Sequence, residues 1–294
     1  MSGRFRKNNF RRNKTNPASA FPRPDIQPLA VTTAFPHLDS KNMKLPPDFR
    51  ELSCRNCMEG NLLDFDFSMA LQPIVDIKNR TIFAHEALVR GLNGEGANTV
   101  FEHVNDSNRY RFDQTCRVKA VSLASKLNLP GFLSINFMPN AIYRAELCIR
   151  TTLAAAEKYN FPVDRIIFEA TEGERVDDAD HMKEIFQHYN SRGFQTAIDD
   201  FGAGFAGLNL LAEFQPHLIK IDMGLVRNIH LDRARQAIVR GITVTCSDLD
   251  IRIIAEGIEC ADELRALTDL GVELFQGYYF AKPGFETLPD VRNL

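Results

Sequence analysis

Three kinds of sequence feature are scarce or absent, and each absence narrows what this 294-residue chain can be. No run approaches the roughly 20 consecutive apolar residues of a membrane-spanning helix, and the N-terminus lacks the apolar stretch of a secretory signal. The six cysteines are scattered along the chain, so no disulfide framework is expected. The seven histidines show no metal-ligand spacing, which disfavours a zinc site. We therefore expect a cytoplasmic protein with reduced thiols.

Charge divides the chain into two parts. Residues 1–45 contain nine Lys or Arg and two Asp, a net charge of +7, and because the whole chain carries −3, the remainder carries −10. Residues 1–50 also contain seven prolines and no sustained apolar period. Such a segment cannot bury enough surface to offset its ordering entropy, so we predict a disordered arm. The arm could contact nucleic acid or an anionic membrane, or it could be solvated without a specific partner.

A short lead-in segment, residues 51–67, contains Cys54 and Cys57. The C-x-x-C spacing is half of a zinc or redox motif, but a structural zinc needs four ligands and no second pair follows. Two plain thiols, a zinc shared between two chains, and redox regulation all stay open for this pair.

From Met69 onward, strand-like and helix-like stretches alternate. The strand candidates are 69–77, 81–89, 132–137, 165–171, 194–200, 217–222, 251–256 and 274–280. The helix candidates lie near 113–127, 140–158, 178–191, 205–213, 230–248 and 261–270. Eight strands in this alternation predict an α/β fold, a modified (β/α)8 TIM-type barrel over residues 68–290. Only three residues separate the first two strands, so one of them should run antiparallel to the rest.

Polar residues recur where the short apolar runs end. They are Glu86, Asn136, Glu169, Asp199, Asp200, Lys220 and Glu256. Parallel strands that close into a barrel aim their C-terminal ends at a common mouth, so these side chains should share one pocket. Consecutive residues of a strand point to opposite faces, but at a strand end that turns into a glycine-rich loop both Asp199 and Asp200 could reach the mouth.

This residue set favours hard divalent cations. Carboxylates crowded in a low-dielectric pocket repel each other unless cations neutralise them, and an all-oxygen set of Glu, Asn and Asp suits Mg²⁺ or Mn²⁺. Asp199 could bridge two ions, and two ions about 3.5–4 Å apart can activate a water and stabilise the leaving oxygen of a phosphodiester. Lys220 follows apolar neighbours, where its amine could orient that water.

A glycine pattern at residues 202–207 imitates a dinucleotide fingerprint, G-x-G-x-x-G, with Asp222 near the position of a ribose-binding acid. Asp199 and Asp200 stand immediately before that turn and would repel a pyrophosphate, and no second Rossmann half follows. The pattern therefore does not indicate a nicotinamide or flavin site.

Seven motifs in order make the chain resemble the EAL family of cyclic di-GMP phosphodiesterases over residues 68–290. They are EAL at 86–88 followed by Arg90, IN at 135–136, FEATE at 168–172, DDFGAGFAGL at 199–208, KID at 220–222, AEGIE at 255–259 and FQGYYFAKP at 275–283. The resemblance implies hydrolysis of cyclic di-GMP to the linear dinucleotide with two Mg²⁺ or Mn²⁺ ions per active site, in a protein that forms a homodimer.

The resemblance also assigns roles to single residues. One metal would be held by Glu86, Asn136, Glu169 and Asp199, and the second by Asp199, Asp200 and Glu256. Lys220 would position the hydrolytic water, and Glu259 and Gln276 would complete the polar shell. Substrate contacts would come from Gln72, Leu88, Arg90 and Asp222. Coupling of the loop at about 201–208 to dimerisation would involve Glu172, Phe201 and Gly202.

Two rival functions stay open at this stage. A receptor could bind cyclic di-GMP without turnover and signal through its basic arm or a partner, because a closed dimer or a displaced loop would silence an intact site. Direct DNA binding by residues 1–50 would instead give an affinity that falls steeply with salt.

Overall fold

The computed structural model describes residues 63–142, 144–171, 179–203 and 207–294. The described strands are β1 (Ser68–Asp76), β2 (Thr81–Arg90), β3 (Phe132–Asn136), β4 (Ile166–Thr171), β5 (Gln195–Phe201), β6 (Leu218–Ile221), β7 (Arg252–Ala255), β8 (Leu274–Phe275) and β9 (Gly284–Phe285). The described helices are α1 (Ala97–Phe101), α2 (Arg109–Lys126), α3 (Ala145–Lys158), α4 (Ala179–Ser191), α5 (Gly207–Glu213), α6 (Met223–Val226), α7 (Arg233–Asp248) and α8 (Ala261–Asp269).

The strands close into a barrel. Strands β2 to β8 pair in chain order and run parallel, and β1 lies antiparallel between β8 and β2, which completes the ring. The short strand β9 adds to β1 at Ala70 and Leu71, outside the ring. The predicted modified TIM-type barrel with one antiparallel strand near the N-terminus is confirmed. The antiparallel strand is β1, because the turn after Asp76 is too short for a parallel crossover.

Apolar side chains fill the bottom of the barrel. One buried cluster comprises Ile74, Phe83, Ala84, Ile167, Ala197, Leu218, Ile254 and Leu274. Each strand member of this cluster except Phe83 lies two residues from a polar residue at the mouth, as Ile167 does from Glu169 and Leu218 from Lys220. Side chains two residues apart on a strand share a face, so this apolar layer lies directly beneath a polar layer at the mouth of the barrel. A larger apolar cluster packs between the strands and the surrounding helices.

The end of the last parallel strand differs from the prediction. A strand over 274–280 was expected, but β8 ends at Phe275. Gly277 lies against the backbone of Ile258, and Phe280 and Ala281 donate N–H bonds to the Gly277 carbonyl. The chain therefore turns after Gln276, and the close contact at Gly277 requires a residue without a Cβ.

Several predictions fall on residues outside the described ranges. They concern the arm at 1–50, the pair Cys54 and Cys57, and Glu172. In the ranges that are described, no helix has the length and apolar character needed to cross a membrane.

Candidate metal centre

A layer of polar side chains lies at the C-terminal ends of the parallel strands, and Gln72 of the antiparallel β1 joins it as the pairing partner of Glu86. The buried or nearly buried members are Gln72, Glu86, Ser134, Glu169, Asp199, Lys220 and Gln276, and Asn136, Asp200 and Glu256 are partly buried. They come from eight different strands or strand ends, far apart in sequence. The barrel geometry predicted from the strand ends thus brings these side chains into one pocket.

Lys220 contacts four carboxylates of this layer. Its ammonium nitrogen, Nζ, lies 2.6 Å from a carboxylate oxygen of Glu256, 2.9 Å from Glu169, 3.1 Å from Asp199 and 3.2 Å from Glu86. The side chain is 1% exposed, so its charge is balanced by these four neighbours and not by water. Burial by itself would lower the pKa of Lys220, but the four carboxylates, Asp199 first, hold it well above its usual value.

Glu86 is fixed by amide donors on both sides. Gln276 Nε2 donates to Glu86 Oε2 at 2.8 Å, and Asn136 Nδ2 donates to Glu86 Oε1 at 2.6 Å. Gln276 Nε2 also lies 3.3 Å from Gln72 Oε1, and Gln72 Nε2 donates to the Ala281 carbonyl at 3.2 Å. Burial acts to raise the pKa of Glu86, but Lys220 and these amide bonds lower it below its ordinary value. Glu86 is therefore an oriented, ionised carboxylate.

The backbone explains how two consecutive aspartates serve one pocket. Asp200 has a left-handed conformation with φ of 54°, and the pairing of β5 with β6 shifts register between Ile198 and Phe201. This irregularity re-aims a side chain that would otherwise point away from the barrel. The Asp200 N–H donates to Asp199 Oδ1 at 2.9 Å. Both aspartates can therefore act as ligands of one ion at the mouth of the barrel.

Two overlapping groups of carboxylates could each hold a cation. Glu86, Glu169 and Asp199 form one group, and Asp199, Asp200 and Glu256 form the other, with the ligand oxygens of each group within 4.8 Å of one another. Asp199 belongs to both groups. The described geometry therefore allows Asp199 to bridge two ions.

The electrostatics of the pocket also fit divalent cations. Five carboxylates line the pocket and four of them contact the ammonium of Lys220, so negative charge is in excess. Burial raises the pKa of Glu169 to about 8 and that of Glu256 well above its usual value. Burial and then the charge of Asp199 raise the pKa of Asp200. Burial is the main cause of these shifts, and repulsion from neighbouring carboxylates such as Asp199 and Glu86 adds to it.

A buried acceptor points to the same chemistry. Asn136 Oδ1 is buried without a hydrogen-bond donor among the described residues. A buried carbonyl oxygen left unpaired is unfavourable, and coordination of a hard cation would satisfy it. The donor set of carboxylate and amide oxygens therefore suits Mg²⁺ or Mn²⁺.

The predicted substrate contacts lie around this centre. Gln72 and Leu88 share the inward face of their strands with Glu86, since Gln72 pairs with Glu86 and Leu88 lies two residues further along β2. Arg90 ends β2, and its Nη1 donates to the Val89 carbonyl at 2.7 Å. Asp222 caps α6 by accepting the Gly224 N–H at 2.8 Å, and its charge contributes to the raised pKa of Asp200.

Glu259 lies apart from the buried cluster. Its carboxylate accepts a hydrogen bond from Arg227 Nη2 at 2.7 Å, and both side chains are about half exposed, 54% and 49%. Of the residues predicted to couple the loop to dimerisation, Phe201 is buried at the end of β5 and Gly202 has φ of 99°. A Cβ on Gly202 would lie 2.6 Å from Leu225 Cδ1.

Sequence reasoning missed Ser134. Its hydroxyl donates a short hydrogen bond to Glu169 Oε1, and the residue is fully buried. The available signal was its place two residues before Asn136 on the same strand, which puts both side chains on the inward face. Serine in a strand is common enough that this signal alone did not select it.

Comparison with known proteins agrees with this geometry. A profile of the EAL domain matches residues 58–283. The blue light- and temperature-regulated antirepressor BluF of Escherichia coli is 34% identical over 223 residues, which are 76% of this chain and 55% of BluF. The E. coli cyclic di-GMP phosphodiesterase PdeR is 36% identical over 127 residues, 43% of this chain and 19% of PdeR. The chain thus spans about half of BluF and a smaller part of PdeR.

Two solved structures are similar over most of the chain. A standalone versatile EAL protein of Vibrio cholerae, in its c-di-GMP-bound form, is 60% identical with a TM-score of 0.76, and the match covers 78% of this chain and 97% of that one. BlrP1 of Klebsiella pneumoniae, in a complex with manganese and cyclic di-GMP, is 34% identical with a TM-score of 0.73, and the match covers 76% and 57%. The barrel, its strand-end carboxylates and the profile match all agree, and the chain belongs to the EAL domain family.

Proposed function

We propose that this protein is a cyclic di-GMP phosphodiesterase that hydrolyses the cyclic dinucleotide to linear pGpG with two Mg²⁺ or Mn²⁺ ions. The observation that carries the proposal is the pair of overlapping carboxylate groups joined at Asp199. Hydrolysis forms one P–O bond from water and breaks one ester P–O bond to ribose, so the ring opens to a linear dinucleotide with a terminal phosphate.

The ligands divide between two ions. Glu86, Asn136, Glu169 and Asp199 would hold one, and Asp199, Asp200 and Glu256 would hold the other. When bound, the ions supply a Lewis acid that lowers the pKa of a water and neutralises charge on the phosphate. Both Asn136 and Gln276 retain a buried side-chain oxygen without a donor among the described residues, which supports further ligands in this pocket.

The remaining residues orient the reactants. Lys220 Nζ, surrounded by ligand carboxylates, is placed to donate a hydrogen bond to a water lying between them. Gln276 and Gln72 hold Glu86 in one orientation through the bonds described above. Arg90 and Gln72 would contact phosphate and guanine groups of the substrate, Leu88 would pack against it, and Asp222 and Glu259 would border it.

Hydrolysis is tested with purified protein, cyclic di-GMP and either Mn²⁺ or EDTA, with nucleotides resolved by chromatography. We expect linear pGpG from the wild type with Mn²⁺ and none with EDTA or from Glu86→Ala. A matched control is Glu146→Ala, whose carboxylate pairs with Arg144 on the surface and should leave turnover unchanged. Turnover in EDTA, or full activity of Glu86→Ala, would contradict the proposal.

A non-catalytic receptor for cyclic di-GMP is the second candidate. The observation that favours it is the similarity to BluF, which is named an antirepressor. Tight binding of cyclic di-GMP by the Mn²⁺-loaded protein without any pGpG over hours would support the receptor and exclude the phosphodiesterase.

We also propose that the protein acts as a homodimer, with the segment around Phe201 and Gly202 linking the metal site to the dimer contact. The support is that Phe201 is buried at the end of the strand that carries both aspartates. Sedimentation with and without Mn²⁺ tests this, and a monomer under both conditions at micromolar concentration would contradict it.

A further inference from the structure

A fully buried arginine lies behind the candidate metal centre, on the helix side of the barrel wall. Arg117 of α2 and Asp113, one helical turn before it, are 0% and 1% exposed and form an ion pair with Nε 2.8 Å from Asp113 Oδ2. Arg117 Nη1 donates to the Tyr189 hydroxyl of α4 at 2.9 Å. Burying a charged pair is costly unless its geometry is well satisfied, so the pair is by itself weak evidence of a stabilising role.

The guanidinium is enclosed by aromatic rings. Its central carbon lies 4.8 Å from the ring centroid of Phe168, 5.6 Å from that of Phe137 and 5.7 Å from that of Tyr189. The rings also contact each other, with centroids 4.8 Å apart for Phe168 and Tyr189 and 5.9 Å for Phe137 and Phe168. We call Asp113, Arg117, Phe137, Phe168 and Tyr189 the Arg117 cluster. A planar cation packed among rings in this way has one preferred orientation.

Two members of the Arg117 cluster are the chain neighbours of candidate metal ligands. Phe168 immediately precedes Glu169, and Phe137 immediately follows Asn136. Adjacent residues of a strand point to opposite faces, so the rings point outward where the ligands point into the barrel. Asn136 and Glu169 are also register partners across β3 and β4.

The backbone of the same two strand ends is held as well. The Phe137 N–H donates to the Glu169 carbonyl at 3.0 Å, and the Met138 N–H donates to Asp113 Oδ1 at 3.0 Å. The carboxylate of Asp113 therefore joins the guanidinium on one side and the chain leaving β3 on the other. One carboxylate thus contacts both the guanidinium and the backbone that follows the ligand Asn136.

We propose that Arg117 is a positioning residue of the metal centre, which fixes the directions of Asn136 and Glu169 through Phe137, Phe168 and the Asp113 carboxylate. The inference rests on the proposed function, since it assigns these two residues as metal ligands. Groups that orient metal ligands change metal affinity or activity by about 10- to 100-fold when they are removed.

The test compares Mn²⁺ affinity, measured by the electron paramagnetic resonance of free Mn²⁺, with the unfolding temperature in EDTA. The main variant is Asp113→Asn with Arg117→Met, which removes both charges together and keeps an Oδ1 acceptor for the Met138 N–H. Tyr189→Phe is the second variant, and it removes only the hydroxyl that accepts from Arg117.

Arg165→Met is the matched control. Arg165 donates to the carbonyls of Gly131 and Leu129 at 2.6 and 2.5 Å and lies 5.2 Å from the Phe161 ring centroid. It therefore ties together the opposite ends of β3 and β4, away from the ligands. Its loss should lower the unfolding temperature and leave the Kd for Mn²⁺ within about twofold of the wild type.

We expect the double variant to raise the Kd for Mn²⁺ about tenfold or more and to lower kcat by a similar factor, with KM for cyclic di-GMP within threefold. Tyr189→Phe should weaken Mn²⁺ binding two- to threefold. Two results would overturn this inference and leave the proposed function standing. One is wild-type Mn²⁺ affinity in the double variant. The other is an equal loss of Mn²⁺ affinity in Arg165→Met and the double variant when their unfolding temperatures are equal. Absence of Mn²⁺ binding by the wild type would overturn the proposed function, and the inference with it.

Discussion

Replacement of Lys220 by methionine tests the charge balance of the pocket. The ammonium lies 2.6 to 3.2 Å from four carboxylates and is 1% exposed, so its removal leaves those of them that are ionised buried without a counterion. Removal of one partner of a buried ion pair destabilises a protein by roughly 3–5 kcal/mol. At about 2–4 °C per kcal/mol for a domain of this size, the unfolding temperature in EDTA at pH 8 should fall by roughly 6–20 °C.

The expected loss depends on pH and on metal. The pKa of Lys220 is raised in the folded protein, so its contribution to stability is fully present at every pH below the pKa of the lysine in the unfolded chain. The lysine itself therefore does not titrate between pH 5 and pH 8. The pKa of Glu169 is about 8 in the folded protein, so at pH 5 this carboxyl takes up a proton and the repulsion is smaller. Mn²⁺ would neutralise the carboxylates directly. The loss should therefore shrink at pH 5 and with Mn²⁺ at pH 8.

Scanning calorimetry of Lys220→Met and the wild type at pH 5 and 8, with EDTA or Mn²⁺, measures this. The control is Lys183→Met, which removes a partly exposed ammonium 3.9 Å from Glu213 and should leave the unfolding temperature unchanged. A decrease that is the same at both pH values and unaffected by Mn²⁺ would refute the reasoning, because the loss would then come from packing and not from charge.

Three further changes have defined outcomes. Burial lowers the pKa of His85 from 6.5 to about 4, so the wild type should lose about 2 kcal/mol of stability from this group as the pH falls from 7 to 5. Urea unfolding should show no such loss for His85→Leu. Gly277→Ala should lower both the unfolding temperature and turnover, since a Cβ would lie 2.2 Å from the Ile258 carbonyl oxygen. The control is Gly241→Ala on α7, where a Cβ meets open space and should stabilise the folded protein by about 0.5–1 kcal/mol. Asp200→Asn should keep the unfolding temperature in EDTA, because asparagine tolerates a φ of 54°, while Mn²⁺ binding weakens; equal affinity would count against the second ion site.

The barrel was predictable because its signals are local. Short apolar runs, helix-period stretches between them and the three-residue link after Ile77 all appear in the sequence, and together they leave one closed topology. Helices α1 and α6 were missed because five and four residues are too few to show an apolar period. The early end of β8 depends on the contact of Gly277 with Ile258, which lies 19 residues away in sequence and carries no local signal.

The predicted barrel implied that the strand-end carboxylates would meet in one pocket, but it did not predict which side chains contact each other. That Lys220 touches four carboxylates at once depends on side-chain directions across the mouth, and periodicity fixes only the face. The reach of Asp200 depends on a left-handed residue and a register shift at the end of β5. The Arg117 cluster was also absent from the sequence-based predictions, because its five members are brought together from α2, α4, β4 and the end of β3.

The most direct test of the central claim is the number of Mn²⁺ ions bound per chain, measured together with cyclic di-GMP hydrolysis in the wild type and Asp200→Asn. The account predicts two ions per wild-type chain, with hydrolysis that rises only as the second binds. It predicts one ion and little or no hydrolysis in the variant. A wild type that binds a single ion, or hydrolysis that is complete with one ion bound, would contradict the two-metal site centred on Asp199.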